Sequence, residues 1–306
     1  MRFSIIIPLA PERECEVKES AENLDFDKKN YEVIIISGKN PSLNRNKGAE
    51  KAKGEILCFL DDDAKIEKDI LKKADEFFDK HDADILGGPQ LTPLDDKYFA
   101  KTSGYAMADF FCTSYMSNRY KKGKLNLNAN ENDLTSAICF VKKEVFKRLK
   151  GFNLDLFPGE DPEFFYRAKK EGYNIAYSPE IFIYHRRRPT LKGLCKQFFN
   201  YGTTRVKELR ILNEKMKLLY LLPSLFLIYL ISLVIIVILS GRFENLKLIL
   251  FSELMILGLY AILVLISSIK QVIIYNDIKA IFLLPFIYPL IHLSYGSGLL
   301  NGLIKN

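Results

Sequence analysis

Two hydrophobic patterns divide this chain. Up to about residue 217, short apolar runs alternate with amphipathic and polar stretches; from 218 to 304 most residues are Leu, Ile, Phe, Tyr or Val. In the first part, Arg2–Pro8 predicts a short buried strand ended by Pro8 and Pro11, and Tyr31–Ser37 (YEVIIIS) predicts a second, rich in β-branched residues. Ser42 is placed to cap a helix running to about Lys53, which Gly54 stops. Glu55–Leu60 (EILCFL) predicts a third strand that runs straight into Asp61-Asp62-Asp63. Ile70, Leu71, Ala74, Phe77 and Phe78 fall on one face of a helix over Glu67–Lys80, and Asp84–Gly88 predicts a fourth strand. Residues 90–135 show no regular pattern. Residues 136–147 predict a strand passing into a short helix, Pro162–Glu171 a helix closed by Gly172, and 175–177 and 181–184 short strands.

Strand and helix alternating at this spacing predict an α/β fold with a parallel, doubly wound sheet. Ligands of such sheets bind beyond the carboxyl ends of the strands, where the Asp triplet sits. The second part predicts membrane segments. Leu218–Ser240 carries no charge, Leu246–Ser268 carries Lys247 and Glu253, and Ile278–Ile304 carries Lys279 and is broken by Pro285 and Pro289. About 20 apolar residues span a bilayer, so the first two segments predict spans. The third predicts either a span or a re-entrant segment, given its prolines and Gly296, Gly298 and Gly302. The expected division is a catalytic domain over 1–189, amphipathic interfacial helices over 190–217 and an anchor of two to three helices over 218–306.

Charge adds an orientation. The net charge is +7, and Lys192, Lys196, Arg205, Lys207, Arg210, Lys215 and Lys217 face only Glu208 and Glu214 just before the apolar part. A basic run abutting an apolar span marks a cytosolic flank. This predicts a multi-pass protein of the cell membrane with its first domain in the cytosol and lipid as a partner. No basic–aromatic pattern points to nucleic acid. The five cysteines are scattered without a CxxC pair, which signals neither a zinc site nor a disulfide framework. The apolar run at the N-terminus is too short for a signal peptide and reads as the first strand.

Three groups carry chemistry. Asp61 and Asp63 flank one residue at the end of a buried strand, and hard carboxylate oxygens suit Mg²⁺ or Mn²⁺, ions that also bind substrate phosphates. Asp161 precedes Pro162, a residue suited to the first helical position, so it reads either as an N-cap or as a general base toward a hydroxyl nucleophile. His185 follows a strand and precedes Arg186-Arg187-Arg188. The histidine reads as a metal ligand or as a strand cap. The arginines read as partners of a leaving diphosphate or of lipid phosphates.

Five pieces in order carry a resemblance: SIIIP at the first strand, NRNKGAEKAKGEILCFLDDD at 44–63, GG at 87–88, GFNLDLFPGEDPEFFYRAKKEGYNIAYSP at 151–179 and YHRRRPTLKGLCKQFFNYG at 184–202. The set resembles the family 2 glycosyltransferases of the GT-A fold over roughly residues 2–205. The later pieces are most similar to membrane-bound enzymes that build bacterial and archaeal exopolysaccharides. The resemblance implies a Rossmann-like mixed sheet followed by C-terminal transmembrane helices. It also implies direct displacement at the anomeric carbon with inversion. It places Pro8, Ser37, Arg45, Asn46, Asp61, Asp62, Arg187 and Arg188 on the donor. Asp63, with Asp61 and His185, would hold Mn²⁺ or Mg²⁺, and Asp161 would be the base with Glu160 beside it. The implied donor is a UDP-sugar, with a GDP-sugar as the alternative; the implied acceptor is lipid-linked or glycan.

Three departures qualify this. Ser37-Gly38 stands where the family usually has an acidic residue that grips the base, and Leu9-Ala10-Pro11-Glu12 replaces a polar stretch ending in Asn-Glu. The chain has no Trp, so the QxxRW motif of processive synthases is absent; Gln197-Phe198-Phe199-Asn200 shares only its first residue. Two other functions stay open: transfer to a polyprenyl phosphate, which needs no base, and a non-catalytic membrane module that binds a sugar nucleotide.

Overall fold

The computed structural model describes residues 1–305. The elements in chain order are β1 (Phe3–Leu9), α1 (Lys18–Glu22), β2 (Tyr31–Ser37), α2 (Pro41–Lys51), β3 (Ile56–Leu60), β4 (Ala64–Ile66), α3 (Ile70–Lys80), β5 (Ile85–Gly87), β6 (Gln90–Leu91), α4 (Tyr98–Met107) and α5 (Phe110–Thr113). After a 3-10 helix (Ser114–Tyr120) come β7 (Ile138–Lys142), α6 (Lys143–Arg148), α7 (Glu160–Lys170), β8 (Ile175–Tyr177), β9 (Ile183–His185), α8 (Leu191–Ile211), α9 (Leu218–Ser240), α10 (Leu246–Tyr275) and, past a short 3-10 turn, α11 (Leu284–Lys305). They form two compact units. One comprises residues 1–96 and 115–187; the other comprises 97–114 and 188 onward.

The first unit is built on a six-stranded sheet of order β2-β1-β3-β7-β5-β8. Alternation along the strands fills both of its faces. Phe3, Ile5 and Ile7 of β1 join Ile56, Cys58 and Leu60 of β3 in one core, while Ile6, Leu57 and Phe59 point into the other. That two-sided burial is why these strands read as continuous apolar runs. The sheet is mixed rather than parallel: β7 runs antiparallel to both β3 and β5. No helix carries the chain over the sheet between the 3-10 helix and β7, so β7 does not enter as a parallel crossover strand. A second sheet of order β4-β9-β6 lies beyond the Asp triplet. Its register pairs Ala64 with His185.

Several local expectations change. β1 runs through Pro8 to Leu9, because proline removes a donor without forbidding extended backbone. The cap of α2 is Asn40, whose side chain accepts from Leu43 N, with Pro41 in the first helical position; Ser42 lies inside the helix. Helix α7 begins at Glu160 after Gly159 (φ 115°), so Asp161 stands in the first turn and is not the N-cap. The patternless 90–135 stretch contains α4. Ala100 and every residue from Thr102 to Met107 are buried, and a helix covered on most sides lacks the polar face that gives periodicity its contrast.

The second unit is helical. Helices α9 and α10 are, among the described residues, the two long and apolar enough to cross a membrane. They leave Leu222, Ile231, Ile238, Leu259 and Ile266 exposed, a surface that a bilayer would cover. The third apolar segment, expected to span or re-enter, is α11, with Leu284, Ile287, Tyr288, Ile291 and Leu299 buried. Its glycines serve close contact with α8: a Cβ at Gly298 would lie 2.0 Å from Phe199 O, and one at Gly202 would lie 2.2 Å from Tyr295 O. The 190–217 segment is one helix, α8, capped by Thr190 and followed by a turn. On α8, Arg205 and Glu208 form a buried ion pair at 2.8 Å.

Candidate active site

The site grows from the end of β3. Asp61 N donates to Ala137 O, and Ala64 N donates back to Asp61 O at 3.2 Å, closing a tight turn over the triplet. The turn separates the three carboxylates. Asp61 and Asp63 share one side with His185, which the β4–β9 register delivers opposite Ala64. His185 Nε2 lies 3.2 Å from Asp63 Oδ1 and 3.7 Å from Asp61 Oδ2. One ligand atom from each residue falls within 4.8 Å of the other two. Asp62 turns away. It is buried, its Oδ1 lies 3.4 Å from Arg13, and its Oδ2 has no hydrogen-bond partner. Its placement among donor-binding residues therefore gains no support.

Electrostatics separates neighbouring acids. Burial opposes ionisation of Asp63, but the His185 hydrogen bond and Arg13, at 3.1 Å, outweigh it and hold this carboxyl well below the usual range. Burial pushes Asp62 up. Two carboxylates and an imidazole make a mixed oxygen and nitrogen donor set that suits a divalent first-row cation. The buried Nδ1 of His185 has no hydrogen-bond partner, so the ring's contacts run through Nε2 toward the acids. The three residues fit a divalent metal.

Arg45 joins this turn to α7. The side chain is 4% exposed. One guanidinium nitrogen donates to Asp61 Oδ1 at 2.8 Å, another donates to Glu160 Oε1 at 2.9 Å, and the group lies over the Phe152 ring. The expected donor-binding arginine is thus a strut that brings the first turn of α7 against the Asp triplet. Burial and the charge of Asp161 push Glu160 up to about 7 against the pull of Arg45. Beside it, Asp161 Oδ2 lies 3.6 Å from Arg119.

The other expected site residues divide. Pro8 is the penultimate residue of β1 and Ser37 the last of adjacent β2, with Ser37 exposed and level with Leu9. Asn46 is turned to the 151–152 turn: its Nδ2 donates to Phe152 O and its Oδ1 accepts from Phe152 N, both at 2.9 Å. This pair of hydrogen bonds makes Asn46 a lock between α2 and the 151–152 turn. Arg187 is buried, donates to Thr92 Oγ1, Gln90 Oε1 and Gln90 O, and stacks on Tyr120. Arg188 is exposed. Three residues escaped sequence reading. Asn44 donates to Gly38 O and fixes the turn after β2; Arg13 faces Asp62 and Asp63; Arg119 faces Asp161 from the patternless stretch. Asn44 opens the 44–63 piece without an assigned role, Arg13 is a cation shortly after the first strand, and Arg119 has no local signal.

Comparison with known proteins places this arrangement. A family model described as Glycosyltransferase like family 2 matches residues 4–200. A protein of Methanococcus voltae named as a dolichyl N-acetyl-glucosaminyl phosphate 3-β-D-2,3-diacetamido-2,3-dideoxy-β-D-glucuronosyltransferase is 25% identical over 99% of this chain and 97% of its own. The glycosyltransferase AglE of Haloferax volcanii is 25% identical over 59% of this chain and 56% of its own. In three dimensions, the mannosyltransferase PcManGT of Pyrobaculum calidifontis, solved with GDP-Man and Mn²⁺, superposes with a TM-score of 0.65 at 13% identity. The superposition covers 100% of this chain and 88% of that one, and the shared architecture is the GT-A fold.

Proposed function

The chain belongs to glycosyltransferase family 2, and from that premise we propose that it is a membrane-anchored, metal-dependent transferase. It moves a sugar from a nucleoside diphosphate donor to a hydroxyl of a lipid-linked or polysaccharide acceptor, with inversion. The observation that carries this reading is the Arg45 bridge, which draws the Asp61–Asp63–His185 cluster and the Glu160–Asp161 turn toward one another.

Each residue then has a task. Asp61, Asp63 and His185 would hold the cation, whose chemistry is to offset the charge of the donor diphosphate. The imidazole in the set favours Mn²⁺ over Mg²⁺, since magnesium prefers oxygen ligands throughout. Asp161 takes the proton of the acceptor hydroxyl as the new glycosidic bond forms and the bond from the anomeric carbon to the phosphate oxygen breaks. Glu160 stays behind it with Arg45. Pro8 and Ser37 border the nucleotide where β1 and β2 end, and Arg188 meets phosphate or lipid headgroups.

Helices α9 and α10 anchor the chain in the cell membrane, with the basic flank before Leu218 on the cytosolic side. The acceptor we favour is a lipid-linked sugar, the class in the name of the Methanococcus voltae relative that aligns along the whole chain. A UDP-sugar is the favoured donor and a GDP-sugar the second. The test is hydrolysis of UDP-GlcNAc, UDP-glucose and GDP-mannose by purified full-length protein with Mn²⁺. Metal-dependent release of nucleoside diphosphate from one of them is expected. Binding of these donors with no turnover by water or acceptor would favour the non-catalytic module.

A further inference from the structure

We propose that Arg119 is a positioning residue for Asp161, holding one carboxylate oxygen so that the other meets the acceptor hydroxyl. The inference rests on the reading of Asp161 as the base. Arg119 closes the 3-10 helix Ser114–Tyr120 and is 7% exposed. Its Nε donates to Asn132 O at 3.2 Å, and its Nη2 donates to Glu131 O. These two carbonyls fix the plane of the guanidinium, because its donors form a rigid fork. The remaining edge, Nη1, then faces Asp161 Oδ2 at 3.6 Å.

That separation is a charge contact, longer than a hydrogen bond. It biases the orientation of the carboxylate and supplies a countercharge without occupying Oδ2 as a short hydrogen bond would. The countercharge is needed locally. Asp161 adjoins buried Glu160, and Arg45, a cation that also feels its charge, is already bonded to Glu160 and Asp61. A second cation beside Asp161 adds countercharge to this partly buried group of acids.

The clamp is itself anchored. Asn118 Nδ2 donates to Asp133 Oδ1 at 3.0 Å, and Asp133 Oδ2 accepts from Asn130 N at 3.1 Å. The turn at 130–133 therefore holds both Asn118 and Arg119, and this provides a control. Asn118→Ala removes one bond to this turn and keeps Arg119's own bonds to Glu131 O and Asn132 O.

The test uses full-length protein and whichever of UDP-GlcNAc, UDP-glucose and GDP-mannose it hydrolyses. Arg119→Met is expected to lower kcat by about ten-fold or more, part of the roughly 10²–10⁴-fold contributed by a positioned acid–base group, with donor KM within about two-fold, as for an interaction made only in the transition state. Arg119→Lys, which keeps the charge, should recover part of the loss. Asn118→Ala should keep kcat within about three-fold. Arg119→Met added to Asp161→Asn should cost nothing further. Wild-type kcat in Arg119→Met, or an equal loss in Asn118→Ala, overturns the proposal. If Arg119→Met does not fold, failure of Arg119→Lys to exceed Arg119→Ala decides against it. Asp161→Asn at full turnover would instead remove the base assignment, whereas its loss alongside a normal Arg119→Met removes the Arg119 role alone.

Discussion

Arg45 and Glu160, 115 positions apart, meet at 2.9 Å inside the first unit. The contact joins two turns that the sheet alone would leave independent: the Asp triplet after β3 and the entry to α7. Both partners are almost inaccessible to water, 4% and 6% exposed at their side chains. Removing Arg45 would leave Glu160 buried without its cation, whereas Arg45 keeps Asp61 as a second partner.

Arg45→Met is therefore expected to destabilise the protein by about 3–5 kcal/mol, the usual effect of breaking a buried pair from one side. Arg45→Lys should rescue little, since one ammonium cannot reproduce two guanidinium bonds spread over Asp61 and Glu160. Thermal unfolding of the purified variants checks this. Wild-type melting in Arg45→Met would show that the strut carries no load.

Glu160 gives the stability a pH dependence. Its folded-state value, about 7, lies above the ordinary 4.5 because burial and Asp161 outweigh Arg45. The fold thus holds this proton more tightly than the unfolded chain does. The resulting stability is fully present below about pH 4.5 and is lost as pH rises through about 7. Glu160→Gln keeps a neutral side chain at every pH. The stability of wild type relative to Glu160→Gln should fall across this window, and a constant difference would contradict the assignment.

Removing divalent metal with EDTA should stop turnover, and Mn²⁺ should restore it. His185→Ala should raise the Mn²⁺ concentration needed for half-maximal thermal stabilisation by about ten-fold or more if the ring is a direct ligand. The readout needs no donor. Unchanged Mn²⁺ dependence would remove His185 from the metal set.

Under the proposed topology, α9 and α10 return the chain to the side it left. With residues before Leu218 in the cytosol, a reporter fused to the C-terminus should also be cytosolic. A reporter on the outer side would require α11 or another segment to cross.

How far the sequence reached depends on how local each feature is. The strand Glu55–Leu60 ending in Asp61–Asp63 is legible because burial, period and the polar triplet are contiguous. The nearness of His185 to Asp63 is not, because it depends on the antiparallel register that sets Ala64 against His185. Arg45 and Asn46 sit in a motif the family uses, yet their partners, Glu160 and Phe152, lie more than a hundred positions away. Arg119 lies in a stretch whose helices are covered too evenly to show a period. Helix α11 shows the same limit: its glycines and prolines read as a broken span, while the structure uses the glycines for contact with α8.

Asp161 as the proton acceptor is the central element of the proposed mechanism. Turnover of the hydrolysed sugar nucleotide by Asp161→Asn, measured beside its donor affinity and melting temperature, tests this most directly. The expected result is loss of at least about a hundred-fold in kcat with donor binding and folding retained. A folded Asp161→Asn protein that transfers sugar at the wild-type rate would contradict it and would favour an acceptor, such as a polyprenyl phosphate, that is already an anion.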